Sequence, residues 1–211
     1  MFQENHISVT KTARYYSMGE INNNSQNIWF VLHGYGQLAG DFIKPFEQVA
    51  DNNTVIIAPE ALSKFYYDHG NGNIGASWMT KEDRENEIND YVNYLDELYS
   101  KITKSISPPF KINALGFSQG AATLSRWAEL GKSKLNKLIF WAGEIAKDVE
   151  YKKIKENELH LVFGNNDPIF PGEFYKTQEE LLDKYGLKYK THIFDGKHEI
   201  NIKLLLEIVG L

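Results

Sequence analysis

The hydrophobic positions along the chain follow two patterns, short continuous apolar runs and longer stretches with helical spacing. One run covers residues 28–32 and ends at His33 and Gly34, and another covers residues 54–58 and ends at Pro59. Runs as short and apolar as these are typical of strands that are buried on both faces of a parallel sheet. Because helical stretches alternate with them, the pattern predicts an open α/β sheet with helices on its faces.

The other predicted elements continue this alternation. Residues 7–12 predict a half-exposed first strand, with residues 13–21 as its candidate hairpin partner. Residues 60–77 contain neighbouring aromatic residues and three glycines, and we expect an irregular loop there, of a length that is usually functional. Further strands are predicted at residues 110–115, 135–141, 158–163 and 188–194, and helices at residues 42–52, 81–102, 121–130, 174–185 and 200–209. Without a repeat or a linker, the prediction is one α/β domain over residues 1–211.

Composition excludes several classes of function. The 211 residues carry a net charge of -5 with dispersed basic residues, which argues against a nucleic-acid-binding face. The sequence has no cysteine, so disulfides, thiolate catalysis and cysteine-ligated metals are excluded. We find no signal peptide, and no apolar run approaches the ~20 residues that span a bilayer, so we expect a cytoplasmic protein without stable membrane insertion.

Cofactor signatures are missing from the sequence as well. Asp68 and His69 are adjacent, but no second histidine stands at metal-ligand spacing. Neither a glycine-rich phosphate loop nor a dinucleotide fingerprint is present. The sequence therefore predicts no metal and no cofactor.

The motif G-x-S-x-G at residues 116–120 stands between a predicted strand and a predicted helix. In this setting it is typical of a turn that exposes a serine hydroxyl at the end of a strand. The flanking residues must be small because the backbone bends sharply there. We interpret Ser118 as a candidate nucleophile.

A serine nucleophile needs a base within hydrogen-bond reach, and three histidines follow Ser118 in the sequence. His160 and His192 lie inside predicted strands, where packing roles are favoured. His198 lies directly after the last predicted strand, in a loop at the edge of the sheet where open α/β sheets place their sites. His198 is therefore the predicted base.

The base must in turn be oriented by an acid. Asp167 ends a predicted strand in the sequence G-N-N-D-P, where proline fixes the exit of the chain. The alternatives are weaker, since Asp195 suits a turn better and both Asp148 and Asp183 fall in helical or polar surface stretches. Asp167 is the predicted acid.

A tetrahedral intermediate also needs amide donors for its oxyanion. One should be the backbone amide of Gln119, directly after the nucleophile, and we assign the second to Tyr35 in the glycine-flanked sequence H-G-Y-G-Q. His33 ends a buried strand and is predicted to be structural. Aromatic and sulfur-containing side chains on nearby loops are candidate substrate contacts, namely Trp78, Met79, Phe65, Tyr66, Tyr67 and Phe170.

Together, the motifs at residues 33–36, 77–78, 116–120, 164–168 and 196–199 resemble the phospholipase/carboxylesterase group of small α/β-hydrolases. This group includes acyl-protein thioesterases, lysophospholipases and bacterial carboxylesterases, and the resemblance covers nearly the whole chain. It implies an α/β-hydrolase fold with a mostly parallel central sheet, helices on both faces and no large lid domain. It also implies hydrolysis of esters or thioesters, with Ser118, Asp167 and His198 as a triad and Tyr35 and Gln119 as the oxyanion hole.

The sequence departs from the pattern of that family at three positions. Ala121 replaces a common second glycine, and Tyr35 and Gln37 stand where thioesterase members often have leucine and aspartate. These departures leave the acyl group and the leaving group open. A dienelactone-hydrolase-like or acetyl-esterase-like enzyme of the same fold is the nearest alternative, and a peptidase is not excluded. A non-catalytic binding protein would have a broken triad, whereas all three members are present. The sequence leaves open whether the protein is a monomer or a homodimer.

Overall fold

The structure is a computed structural model that describes residues 1–68, 70 and 72–211. Its strands are β1 (Tyr15–Met18), β2 (Asn27–Leu32), β3 (Thr54–Pro59), β4 (Ser63–Asp68), β5 (Asn73–Ser77), β6 (Lys111–Phe117), β7 (Lys137–Trp141), β8 (Glu158–Gly164) and β9 (Tyr189–Phe194). Seven of them form a central sheet in the order β1-β3-β2-β6-β7-β8-β9, while β4 and β5 form a separate pair. Adjacent strands of the central sheet run parallel, except that β1 is antiparallel to β3.

Helices cover both faces of the central sheet, as the sequence predicts. They are α1 (Ala39–Phe42), α2 (Arg84–Thr103), α3 (Gln119–Leu130), α4 (Gly172–Lys184) and α5 (Ile202–Val209), with short 3-10 helices at Lys44–Gln48 and Ile154–Glu156. Apolar residues of α2, α3 and α4 join one buried cluster, and those of α1 and α5 join another. The fold is therefore a three-layer α/β arrangement.

The apolar run of β2 explains why this strand lies in the middle of the sheet. Ile28, Phe30 and Leu32 belong to one buried cluster, whereas Trp29 and Val31 belong to the other. Alternate residues of a strand point to opposite faces, so a strand covered on both sides needs apolar residues at every position.

The crevice that holds the candidate residues follows from the order of the strands. β2 and β6 are neighbours, but the chain continues from β2 to β3 on one side and from β6 to β7 on the other. The connections therefore diverge at the carboxyl ends of β2 and β6, which is where open α/β sheets form their ligand sites. His33 follows β2 and Ser118 follows β6, so both lie at this switch point.

The prediction of a strand at residues 7–12 is wrong. These residues are exposed and have no regular secondary structure, and β1 pairs with β3 instead of forming a hairpin with them. Ile7 and Val9 are the apolar residues of the segment, and both side chains are more than three-quarters exposed, at 88% and 79%. The alternation suggested a strand, but a strand forms only where a partner offers both hydrogen bonds and an apolar surface.

The helix predicted at residues 42–52 is also wrong in detail, because the chain forms α1 and then the 3-10 helix Lys44–Gln48. Pro45 has no amide hydrogen for a continuous helix. Ala39, Phe42 and Phe46 all pack in one buried cluster, which explains the apolar spacing of this stretch.

The irregular loop predicted at residues 60–77 is in fact the hairpin of β4 and β5. His69 and Asn71 lie outside the described residues, so the predicted Asp68–His69 pair is not described. The remaining predicted strands and helices agree with the structure to within about three residues at each end.

Candidate active site

Ser118 occupies a sharp turn between β6 and α3, and its backbone has a positive φ of 54°. Such a conformation costs a non-glycine residue about 1–3 kcal/mol, so its neighbours must hold it in place. The Ser118 amide donates a hydrogen bond to the carbonyl of Trp141 at 2.9 Å. A Cβ on Gly116 would lie 2.2 Å from the Gly120 carbonyl oxygen, and one on Gly120 would lie 2.2 Å from that of Leu32. Only glycine fits at either position.

Ala121 replaces the glycine that is common in the similar family, and the structure accommodates it opposite Gly143. A Cβ on Gly143 would lie 2.7 Å from the Ala121 methyl group and 2.3 Å from the Ser118 carbonyl oxygen. Because Gly143 has no side chain, the methyl group of Ala121 fits there, and α3 still begins directly at the turn.

The carboxylate of Asp167 is buried and fully hydrogen-bonded on one oxygen by its own loop. Its Oδ1 accepts hydrogen bonds from the amides of Ile169 at 2.8 Å and Phe170 at 3.1 Å. Its Oδ2 lies 2.8 Å from Nδ1 of His198, while the Asp167 side chain is 0% exposed. The loop therefore fixes the carboxylate so that its second oxygen faces the histidine.

His198 lies between this carboxylate and the serine turn. Its ring centroid is 4.8 Å from that of Phe117, the residue before Ser118, and 5.7 Å from that of Phe170. The His198 side chain is 17% exposed, so one edge of the ring is open to solvent. The structure thus brings the predicted base and acid into hydrogen-bond contact beside the serine turn.

The loops that carry Asp167 and His198 contact each other at the ends of β8 and β9. A Cβ on Gly164 would lie 2.5 Å from the carbonyl oxygens of both Gly196 and Lys197. The Asn166 amide donates to the Gly196 carbonyl at 3.0 Å, and the Asn166 side chain donates to Asp195 at 2.9 Å. Asp195 therefore connects the two loops. Among the described residues, the carboxylate that pairs with the ring of His198 is that of Asp167 and not that of Asp195.

The loop after β2 presents the predicted amide of Tyr35 between two glycines whose amides are already used. The Gly34 amide donates to Oε1 of Gln37 at 2.8 Å, and the Gly36 amide donates to the carbonyl of Ala76 at 2.9 Å. A Cβ on Gly34 would lie 3.1 Å from Cβ of Ser118, so this loop passes directly beside the serine. Gln37, one of the departures from the family pattern, stabilises the loop internally.

Gln119 is the first residue of α3, where a helix has no internal partner for the backbone amide. Its side chain is held firmly outside the helix. Oε1 accepts from the Trp78 amide at 3.1 Å, and Nε2 donates to the Met79 carbonyl at 2.8 Å. Sequence reasoning assigned only the backbone of Gln119 and missed these side-chain contacts.

His33 is buried and structural, in agreement with the sequence-based interpretation. Its Nε2 accepts the amide of Ala61 at 3.1 Å, and its Nδ1 lies 2.8 Å from the Gly34 carbonyl. An Nε2 that accepts an amide hydrogen carries no proton, so Nδ1 is the protonated nitrogen. Burial lowers the pKa of His33, which keeps the ring neutral.

The predicted substrate residues separate into four positions. Trp78 is 2% exposed and lies under the site, where its indole nitrogen donates to the His33 carbonyl at 2.9 Å. Met79 is half-buried, and its sulfur accepts a hydrogen bond from Arg126. Phe170 packs against His198 as described above. Tyr66 and Tyr67 are exposed on β4, at 56% and 60%.

A groove of about 520 Å³ opens beside His198. The residues that line it are Gly36, Gln37, Leu38, Asp41, Phe42, Pro45, Tyr67, Ile74, Phe117, His198, Glu199 and Ile200. Tyr67 and Ile74 come from the hairpin of β4 and β5, and the ring of Tyr35 stacks on Phe65 of the same hairpin at 5.1 Å. Tyr66 is not among the lining residues. The aromatic-rich run followed by a glycine-containing turn is the sequence signal that could have identified this hairpin as one wall of the groove.

Among the described residues, one group could offer three metal ligands, namely Glu4, His6 and Asp83. All three are exposed, and none of them lines the groove beside His198. In the described part of the chain, no helix has the length and apolar character needed to cross a membrane.

Residues 18–209 of the chain match a family model described as phospholipase/carboxylesterase. A sequence search of curated proteins finds no match. Similar solved structures include acyl-protein thioesterase 2 from Zea mays, with a TM-score of 0.71 and 16% identity over 94% of this chain and 97% of that one. A Bacillus cereus carboxylesterase has a TM-score of 0.71 and 14% identity over 93% and 91% of the two chains. Esterase PE8 has a TM-score of 0.70 and 20% identity over 95% and 99%. At these identities the structural likeness supports the fold alone.

Proposed function

We infer the reaction from the premise that the chain belongs to the phospholipase/carboxylesterase family of α/β-hydrolases, and we propose that it is a serine hydrolase acting on carboxylic esters or thioesters. The single observation that carries the proposal is the pairing of His198 Nδ1 with the buried Asp167 carboxylate at 2.8 Å, beside the strained turn of Ser118. A buried carboxylate orients the imidazole and stabilises its positive charge when the ring takes a proton.

In the proposed mechanism, the Ser118 hydroxyl attacks the carbonyl carbon of the substrate while Nε2 of His198 accepts the hydroxyl proton. The Asp167 carboxylate accepts a hydrogen bond from the Nδ1–H group of His198. Nε2 therefore carries no proton and is free to act as the base. The amides of Tyr35 and Gln119 donate hydrogen bonds to the oxyanion of the tetrahedral intermediate. His198 then protonates the leaving alcohol or thiol, and an acyl group remains on Ser118.

Hydrolysis of this acyl-enzyme completes the reaction. His198 takes a proton from a water molecule, whose oxygen attacks the acyl carbon, and returns the proton to the serine oxygen as the acid leaves. The groove beside His198 offers apolar side chains such as Phe42, Tyr67 and Ile74 to an organic group of the substrate. These residues support a small organic ester as substrate and favour no particular leaving group.

The test is labelling with a fluorophosphonate probe, which forms a covalent bond with an activated serine. We expect rapid labelling of the wild-type protein and none of Ser118→Ala, whose esterase kcat should fall on the order of 10³-fold or more. Ser105→Ala is the matched control, because Ser105 is exposed and lies in the connection from α2 to the amino end of β6, whereas Ser118 follows the carboxyl end of that strand. Labelling that persists in Ser118→Ala would contradict the assignment.

A further inference from the structure

The segment of residues 75–79 contacts both loops that carry the proposed oxyanion donors. At one end, the Gly36 amide donates to the Ala76 carbonyl at 2.9 Å. Gly75 packs so closely on the same loop that a Cβ there would lie 2.6 Å from the Gly36 carbonyl oxygen. The segment is thus fixed to the residue that follows Tyr35.

At its other end, the segment is bound to Gln119 through the side-chain amide. The Trp78 amide can only donate and the Met79 carbonyl can only accept, so these two contacts fix which way the Gln119 amide points. Nε2 also donates to Oγ of Ser77 at 3.2 Å, and that hydroxyl donates to the Met79 carbonyl at 2.9 Å. Ser77 is 2% exposed and Gln119 is half-buried, so the serine side of these contacts is shielded from water.

The two donors need such a connection because they belong to distant parts of the chain. Both amides must lie about 2.7–3.1 Å from a single oxygen, and an error of about 1 Å can cost 100-fold in rate. Tyr35 follows β2 and Gln119 follows β6, so the sheet sets their approximate separation. The backbone amide of the first residue of a helix has no hydrogen-bond partner within the helix, so contacts from outside the helix can orient it.

We propose that the side chain of Gln119, together with Ser77, is a spacer that sets the distance and direction between the amides of Gln119 and Tyr35. Gln119 then has two roles, a backbone donor to the oxyanion and a side chain that positions this donor. Ser77 is a positioning residue that acts through Gln119. The inference rests on the proposed function, because it concerns the same serine chemistry.

The test compares variants that keep the shape of the site and remove the hydrogen bonds. Gln119→Met has nearly the same length and volume but cannot bind the Trp78 amide or the Met79 carbonyl. We expect its kcat to fall about 10- to 100-fold while KM stays within about threefold, because the donors act mainly in the transition state. The inhibition constant of a trifluoromethyl ketone, which forms a tetrahedral adduct with serine, should rise by the same factor.

Gln178→Met is the matched control. Gln178 is also buried, and its Oε1 accepts the Ile145 amide at 2.8 Å, so the variant loses a similar side-chain to backbone bond. We expect a comparable loss of stability with an unchanged kcat. A purely structural role of Gln119 would instead give the two variants the same kcat and the same inhibition constant, which would overturn the inference.

Two further variants keep the inference testable if Gln119→Met fails to fold. Ser77→Ala should lower kcat several-fold, and Gly75→Ala should lower it by displacing the Gly36 backbone from the other end of the segment. If both variants kept the kcat of the wild-type protein, the spacer role of Gln119 and Ser77 would be overturned. If the wild-type protein neither hydrolyses esters nor reacts with the fluorophosphonate, the proposed function has failed, whereas a labelled and active wild type with equally active Gln119→Met refutes only the spacer.

Discussion

At the scale of single residues, the candidate site depends on side chains and glycines that are specified by contacts a few ångströms away. Asp167 is held by two amides of its own loop, so its carboxylate keeps one oxygen for His198. Gly164 allows the loop of the histidine to approach, because any Cβ there would meet two carbonyl oxygens at 2.5 Å. The orientation of His198, the proposed base, therefore depends on the loops at the ends of β8 and β9.

Asp167→Asn tests whether this carboxylate sets the tautomer of the base. The amide has nearly the same shape, but its NH₂ group can face Nδ1 and leave the proton on Nε2, the wrong nitrogen. We expect kcat to fall roughly 10³- to 10⁴-fold with little change in KM. Steady-state kinetics on a nitrophenyl ester measure the effect.

Asp195→Asn is the control for this substitution, because Asp195 is three residues from His198 and its Oδ1 accepts a bond from the Asn166 side chain. An asparagine keeps an oxygen acceptor for that contact, so activity should stay near that of the wild type. If the two substitutions lowered kcat equally, Asp167 would lose its assigned role.

At the scale of elements, the hairpin of β4 and β5 lies outside the central sheet and contributes residues to the candidate site. It supplies Tyr67 and Ile74 to the groove, and the end of β5 forms the first part of the segment that binds Gln119. The same hairpin packs on the loop after β2 through the Tyr35–Phe65 stack. One element therefore contributes both to the wall of the groove and to the geometry of the proposed oxyanion hole.

We expect kcat/KM for nitrophenyl esters to rise from acetate to octanoate, because each buried CH₂ contributes about 0.8 kcal/mol in transfer free energy. Tyr67→Ala should weaken this dependence on chain length. Tyr66→Ala is the control, since Tyr66 is the adjacent residue of the same strand and does not line the groove. A rate that is highest with acetate would instead favour the acetyl-esterase alternative.

The sequence predicted the central strands well because a buried strand has a local signal, and local motifs also marked the turns that carry Ser118, Asp167 and His198, whose catalytic roles stay a prediction. The run of β2 is apolar at every position, and the glycines around Ser118 are required by contacts within the turn and with Leu32. The sequence-based prediction was wrong for the hairpin and for residues 7–12, because whether a strand forms there depends on partners that are distant in the sequence. The contacts of the Gln119 side chain could not be predicted, because they join residues about 40 positions apart without a local pattern.

At the scale of the whole molecule, stability should depend on pH through two buried histidines, His33 and His160, and the half-buried His192. Burial lowers the pKa of His33, of His160 and of His192. The rings of His160 and His192 are stacked, and Nδ1 of His160 lies 2.9 Å from Nε2 of His192. The hydrogen bond from His160 also lowers the pKa of Glu158 to about 2.

The sign follows from proton linkage. An unfolded histidine titrates near pH 6.5, so below that value the unfolded chain binds more protons than the folded one. The free energy of unfolding should therefore be highest above about pH 6.5 and fall as the pH drops through the lowered folded pKa values. Urea unfolding at a series of pH values from about 5 to 7.5 measures it.

His160→Gln should flatten this dependence because one buried titrating ring is removed. His6→Gln is the control for changing an exposed histidine in the N-terminal segment. A free energy of unfolding that is constant over the whole pH range would contradict the expectation.

The order of the strands also determines when activity can appear during folding. Ser118, Asp167 and His198 follow β6, β8 and β9, and β7 and β8 must be in place before β9 can join β6 in one sheet. In the proposed mechanism, a partly folded chain has the serine without its base, so the Ser118 hydroxyl is not activated and does not attack esters. Recovery of esterase activity after dilution from denaturant should therefore report that β6 to β9 have assembled, which a spectroscopic measurement of total strand content does not.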